Sequence, residues 1–209
     1  MLRLTTLALA CSAALLLTAG TASAENWNDA RLDAVASHIA GKPVDVHCED
    51  SWYVWINTGE EHDEDWSALL GLTYLSEPTV YINPDGCETL HALLELGPQA
   101  VGVYHAALAV QTLVHEAVHQ RGITDEGDTD CIALSLVDDV AVRHFGYKRT
   151  ERVPYTVKIT TRRKVNGRWT TSRSSAVRYR QQPSRTLKDF HTMAVSWHKT
   201  APPEYQGDC

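Results

Sequence analysis

Residues Gln99–Gln120 read QAVGVYHAALAVQTLVHEAVHQ, a run with no proline, one glycine and apolar side chains nearly all the way round a helical wheel. A helix of that kind is expected in the middle of a fold rather than on its surface. His105 and Gln111 within it argue against a membrane span. Near its end stand His115-Glu116-Ala117-Val118-His119. Histidines four apart share one helical face, so both imidazoles can reach one metal ion. Glu116 then stands beside the open coordination position, where it can take a proton from water. Gly122 fits a left-handed helix stop just past the second histidine. Hydrolysis at a zinc ion is therefore the leading expectation.

A catalytic zinc takes three protein ligands and keeps one position for water, so a further donor is expected beyond His119. Asp125, Glu126 and Asp130 compete for that role. Asp125 stands six residues past His119, with Gly122 between them. Glu126 opens the next predicted helix, about Glu126 to Phe145, and shares one stripe with Thr129 or Asp130, Ala133 and Val137. We favour Glu126, because its stripe continues into an apolar helix that can dock beside the first. Asp130 is then placed to orient a ligating histidine; its plainer role is that of a solvated helix acid.

Outside this region the chain opens with a segment that reads as a signal peptide. Arg3 supplies the positive charge, Leu4 to Leu17 the apolar core, and Ala22-Ser23-Ala24 the small-residue cleavage site, which leaves residues 25–209 as one domain. Removing residues 1–24 leaves Cys48, Cys87, Cys131 and Cys209, an even number suited to two disulfides in an oxidising compartment. Three pairings are possible. The preferred one joins Cys48 to Cys87, each just after an expected strand, and leaves Cys131 for the chain terminus. A secreted, extracellular location without a membrane span follows.

Helical spacing of Leu32, Val35, Ala36 and Ile39 predicts a helix over Asn28 to Ala40. Short β-branched or aromatic runs at Val44–Cys48, Trp52–Asn57, Gly71–Leu75 and Thr79–Ile82 predict strands. Asn83-Pro84-Asp85-Gly86 predicts a turn into a helix over Glu88–Leu96. The acidic run Glu60 to Asp65 reads as a solvated connection. Residues 155–180 read as a β-hairpin turning at Asn166-Gly167, and a last helix is expected over about Ser184 to His198. Charge divides unevenly between these parts. Residues 151–186 hold ten Lys or Arg against Glu151, whereas the rest of residues 25–209 holds eight against twenty-five acids.

The histidine motif, Arg121-Gly122, Asp125-Glu126 and Asp130-Cys131, in close order, resemble secreted bacterial HExxH zinc metallopeptidases, the zincins. The spacing to Asp125 is similar to that of snapalysin-like enzymes, and the helix opened by Glu126 is similar to the third-ligand helix of gluzincins. The resemblance covers about twenty residues. It implies a small metallopeptidase-like fold, and with the elements read above the expected architecture is a small α+β domain with a short mixed sheet, a buried motif helix, a third-ligand helix and an inserted basic β-hairpin over 151–183. The resemblance implies no particular substrate; on the reading of the residues, His115, His119 and Glu126 hold zinc, Glu116 is the general base, and a peptide or protein is the expected substrate. A donor for the oxyanion is needed, and His105, Tyr147, His191 and Tyr205 are candidates. Trp27, Trp52, Trp55, Trp66 and Trp197 either line a cleft or pack the core. The opposing expectation is a secreted binding protein without catalysis, whose basic hairpin holds an anionic polymer or surface.

Overall fold

Most helices begin where a short polar side chain can take up a free backbone amide. In the computed structural model, which describes residues 28–62, 64–207 and 209, Asp29 caps α1 (Ala30–Ala40) by accepting from the Arg31 amide at 2.8 Å. The expected signal segment 1–24, together with Trp27 and Asp63, lies outside the described residues. Gly41 ends α1 in the left-handed region at φ 73°. β1 (Asp45–Cys48) follows at once, with the Asp33 carboxylate on α1 accepting from the Val46 amide at 2.8 Å.

The next segment departs from expectation. Trp52–Asn57 was predicted as a strand, but it lies in α2 (Trp52–Glu61). The Ser51 hydroxyl caps that helix by accepting from the Val54 amide at 3.3 Å. Trp55 and Gly59 then share one buried face, where the Trp55 indole donates to the Trp66 carbonyl at 2.8 Å. Strand preference in aromatic residues reflects packing opportunity, and here the better packing is helical.

β2 (Gly71–Thr73) and β3 (Thr79–Ile82) complete a three-stranded sheet in the order β1–β3–β2. β1 and β3 run parallel, and β2 runs antiparallel at the edge. α3 (Pro84–Leu96) starts four residues before the expected Glu88, because Asn83 caps it and Pro84 occupies its first position. Pro has no amide to leave unpaired there, so the predicted turn becomes the first helical turn. A disulfide joins Cys87, inside α3 rather than after a strand, to Cys48 at the end of β1.

α4 (Val103–His119) begins after Gly102 and is buried on every side from Ala109 to His119. It packs against α1, α3, β2 and β3, and against two later helices, α5 (Glu126–His144) and α6 (Arg185–Thr200). Leu32, Val46, Ile82, Leu113 and Phe190 belong to the one core cluster built round it. The fold is α+β, as expected. Between α5 and α6, β4 (Thr150–Val165) and β5 (Arg168–Pro183) form a separate two-stranded ribbon, longer at both ends than the predicted 155–180. Asn166 and Gly167 make its turn, at φ 50° and 78°. The chain ends in a short 3-10 turn (Pro203–Tyr205) and a second disulfide, Cys131–Cys209. Both disulfides follow the preferred pairing and suit an oxidising compartment. Among the described residues no helix is long and apolar enough to cross a membrane.

Candidate metal centre

The motif helix ends inside the protein, with His115, Glu116 and His119 all buried. Gly122, at φ 89°, reverses the chain and donates its amide to the His119 carbonyl at 2.8 Å. The reversal brings the Ile123 carbonyl back to within 2.7 Å of His119 Nδ1. A carbonyl can only accept, so Nδ1 carries the ring proton and Nε2 presents its lone pair to the site.

Asp125 and Glu126 part company at the start of α5. The Asp125 carboxylate caps the helix, accepting from the Asp128 amide at 2.9 Å. Glu126 instead turns towards the histidines, with Oε2 3.0 Å from His115 Nε2 and 3.3 Å from His119 Nε2. The two Nε2 atoms are themselves 3.1 Å apart. These three donors could hold a metal ion. Tetrahedral bonds of about 2.0–2.1 Å set ligand atoms roughly 3.3 Å apart, so the triangle has the dimensions of a metal's coordination sphere. The hydrogen bond from His115 holds the Glu126 carboxyl below its ordinary range against the opposing effect of burial.

Asp130 stands behind His115. Its Oδ1 is 3.6 Å from His115 Nδ1, too long for a hydrogen bond, so it acts on that ring as a nearby charge. The same oxygen accepts from Gln111 Nε2 at 3.0 Å, and Oδ2 is bonded by His198 Nδ1 on α6. Asp130 is fully buried. Burial raises its pKa, but His115, His198 and Gln111 together keep it below the usual carboxylate value. The Cys209 sulfur lies 3.5 Å from His198 Nε2 and is bonded to Cys131, the neighbour of Asp130. Asp130 is thus no solvated helix acid; it joins α4, α5, α6 and the chain's tail.

Glu116 faces a cleft on the other side of the donors. Burial pushes its pKa up to about 7, with His115 opposing and Glu126 adding to the effect. The cleft contains an apolar cavity of about 300 Å³ between Leu69–Gly71 and the Trp197, Pro202 and Tyr205 side, with His115 and Glu116 in its wall. Gly71 permits the close approach of β2. A Cβ there would lie 2.8 Å from Thr112 Cγ2 and 2.9 Å from Glu116 Cγ.

This chain matches no protein-family model, no curated protein and no solved structure.

Of the four side chains considered for oxyanion stabilisation, Tyr205 borders the cleft, its ring centroid 5.7 Å from that of His115. His105 is exposed at the start of α4, Tyr147 packs against Phe190, and His191 pairs with Asp138. Trp55 and Trp66 are core residues, Trp52 donates to Asp85, and Trp197 borders the cleft. Sequence reasoning missed His198, Gln111 as a polar partner, and Gly71. A signal for His198 was present: it follows Phe190 and Ala194 at intervals of four on the buried face of α6.

Proposed function

We propose that this chain is an exported zinc metallopeptidase of the zincin type. The observation that carries the reading is the convergence of His115 Nε2, His119 Nε2 and Glu126 Oε2 within 3.0–3.3 Å of one another, beside buried Glu116 on an open cleft. Two neutral imidazoles and a carboxylate are a donor set that suits zinc and leaves one position free. A zinc ion there supplies Lewis-acid chemistry, polarising a carbonyl and bringing water ionisation towards neutral pH.

The remaining work falls to the chain's own groups. Glu116 takes a proton from the attacking water and passes it to the departing amine, a role suited to a buried carboxyl that borders the cleft. The Ile123 carbonyl holds His119 in the tautomer that leaves Nε2 free, and the nearby charge of Asp130 favours the corresponding tautomer of His115. β2 is the sheet's edge strand beside the cleft, so an extended peptide can pair along its open side. Export is supported by the signal-like segment of the sequence and by two disulfides.

The deciding experiment measures zinc content and proteolysis together. His115→Ala is expected to lose stoichiometric zinc, whereas Glu116→Gln keeps zinc and loses cleavage of casein and of a mixed peptide library. Wild-type protein that holds zinc yet cuts nothing in a broad library would overturn the peptidase reading.

A further inference from the structure

β4 and β5 pair along their whole length, sixteen residues each, from Thr150 opposite Pro183 to Val165 opposite Arg168. At roughly 3.3 Å per residue the ribbon is about 50 Å long. A two-stranded ribbon is marginally stable by itself in water. This one nonetheless leaves Trp169 65%, Val177 62% and Tyr179 53% exposed.

Its charge is almost all of one sign. The pairing register puts Arg152, Lys158, Arg162, Lys164 and Arg173 on one face, and Arg163, Arg168, Arg178 and Arg180 on the other. Among the described residues none of these nine forms an ion pair with a carboxylate. The ribbon's one acid, Glu151, lies at its base and accepts from Gln182 Nε2 at 3.0 Å. No cation stands directly opposite another: Arg162 faces Thr171, Arg173 faces Thr160, and Arg163 faces Thr170. That spacing limits local repulsion while keeping the total charge. A few lysines suffice to guard a sheet edge; nine unpaired cations are a self-repulsion that an anionic partner relieves.

We propose that the ribbon is a docking arm for double-stranded nucleic acid, entering its major groove. Cations on both faces decide against a flat anionic bilayer, which meets one face and leaves the other unpaired. A groove carries phosphates on both walls, and the major groove, about 12 Å wide, admits a two-stranded ribbon. The threonine and serine hydroxyls opposite the cations are further donors for phosphate oxygens. A single strand calls for a row of open stacking platforms. Here Trp169 is an open ring at the tip, while Arg152 lies 4.4 Å over the Tyr179 ring and Arg180 5.9 Å over that of Tyr155. The surface is independent of the metal centre, so either can fail without the other.

The test is fluorescence anisotropy of the full chain with a labelled duplex of about 20 base pairs. At roughly 0.9 per neutralised phosphate, a log–log salt slope of about −4 or steeper is expected, a loss of more than about 200-fold between about 50 and 200 mM salt. Arg162→Glu with Arg173→Glu, and separately Arg163→Glu with Arg178→Glu, should each weaken binding about tenfold or more at unchanged circular dichroism and zinc content. Should either variant misfold, the wild-type salt slope and competition decide. Absence of duplex binding at low salt overturns the proposal. So does equal or tighter binding to phosphatidylglycerol vesicles, to polyphosphate or to a single strand of the same length, or a loss confined to one face.

Discussion

Asp130 has no access to solvent, and its carboxylate is held by Gln111 on α4 and His198 on α6 while facing His115. Asp130→Asn keeps the shape and removes the charge. Metal affinity should fall about 10–100-fold, measured by competition with a chromophoric chelator; unchanged affinity would mean that Asp130 only braces the helices. Proton occupancy makes a second prediction. In the metal-free protein burial disfavours a charged His115, but Asp130 and Glu126 overcome it and raise its pKa from 6.5 to about 9. A raised histidine stabilises the fold fully below its unfolded pKa of 6.5, and the contribution is lost as pH climbs through about 9. The chelator-treated protein should therefore lose denaturant resistance between pH 6.5 and 9, and His115→Gln should lack that part of the fall. Metal must displace the same proton, so zinc affinity should rise over the window, as titration calorimetry in buffers of different ionisation enthalpy can read.

At the scale of elements, the site depends on how closely two segments meet α4. Gly122 sits at φ 89° with open space round it, so a side chain there meets backbone strain and no steric clash. Gly122→Ala should cost about 1–2 kcal/mol in urea unfolding and weaken zinc binding by moving the Ile123 carbonyl off His119 Nδ1. Gly122→Asn should recover part of both losses, since Asn tolerates the left-handed region. Gly71 has the opposite constraint, crowding without positive φ. Gly71→Ala should displace the Glu116 side chain, lowering kcat while zinc stays stoichiometric; unchanged kcat would remove Glu116 from the reaction or show that the strand yields. The helix that replaces the expected second strand belongs to this scale too. Trp52–Asn57 carries strand-forming residues, and what makes it helical is the Ser51 cap and a Trp55–Gly59 face that receives Trp66. Only the cap is local in sequence.

Across the whole molecule, the Cys131–Cys209 disulfide spans 78 residues of sequence and ties the tail, with Tyr205, to the cleft. Replacing both cysteines with serine should destabilise the protein by about 2–5 kcal/mol, mostly by enlarging the unfolded ensemble. It should also lower kcat/KM towards peptides, because Tyr205 and Pro202 are no longer held against the cavity. A lower Tm with kcat/KM intact would reduce the disulfide to a staple. Charge is organised at this scale as well: of residues 25–209 the ribbon carries half the Lys and Arg but one acid, Glu151, and its main contacts are internal.

By itself the sequence determined the buried motif helix, its stop at Gly122, the α5 helix opened by Glu126 and the hairpin turn. Each rests on short-range rules: side chains four apart share a helical face, glycine tolerates positive φ, and Asn-Gly closes a tight hairpin. Tertiary structure decided the choice among Asp125, Glu126 and Asp130. All three acids are close enough in sequence to reach, but one caps α5, one meets both histidines and one is buried behind His115. It also decided the roles of His198, 68 residues from Asp130, and of Gly71, whose meaning exists only where β2 crosses Thr112 and Glu116. Contacts that close such long loops are set by which faces pack together, and no local pattern records them.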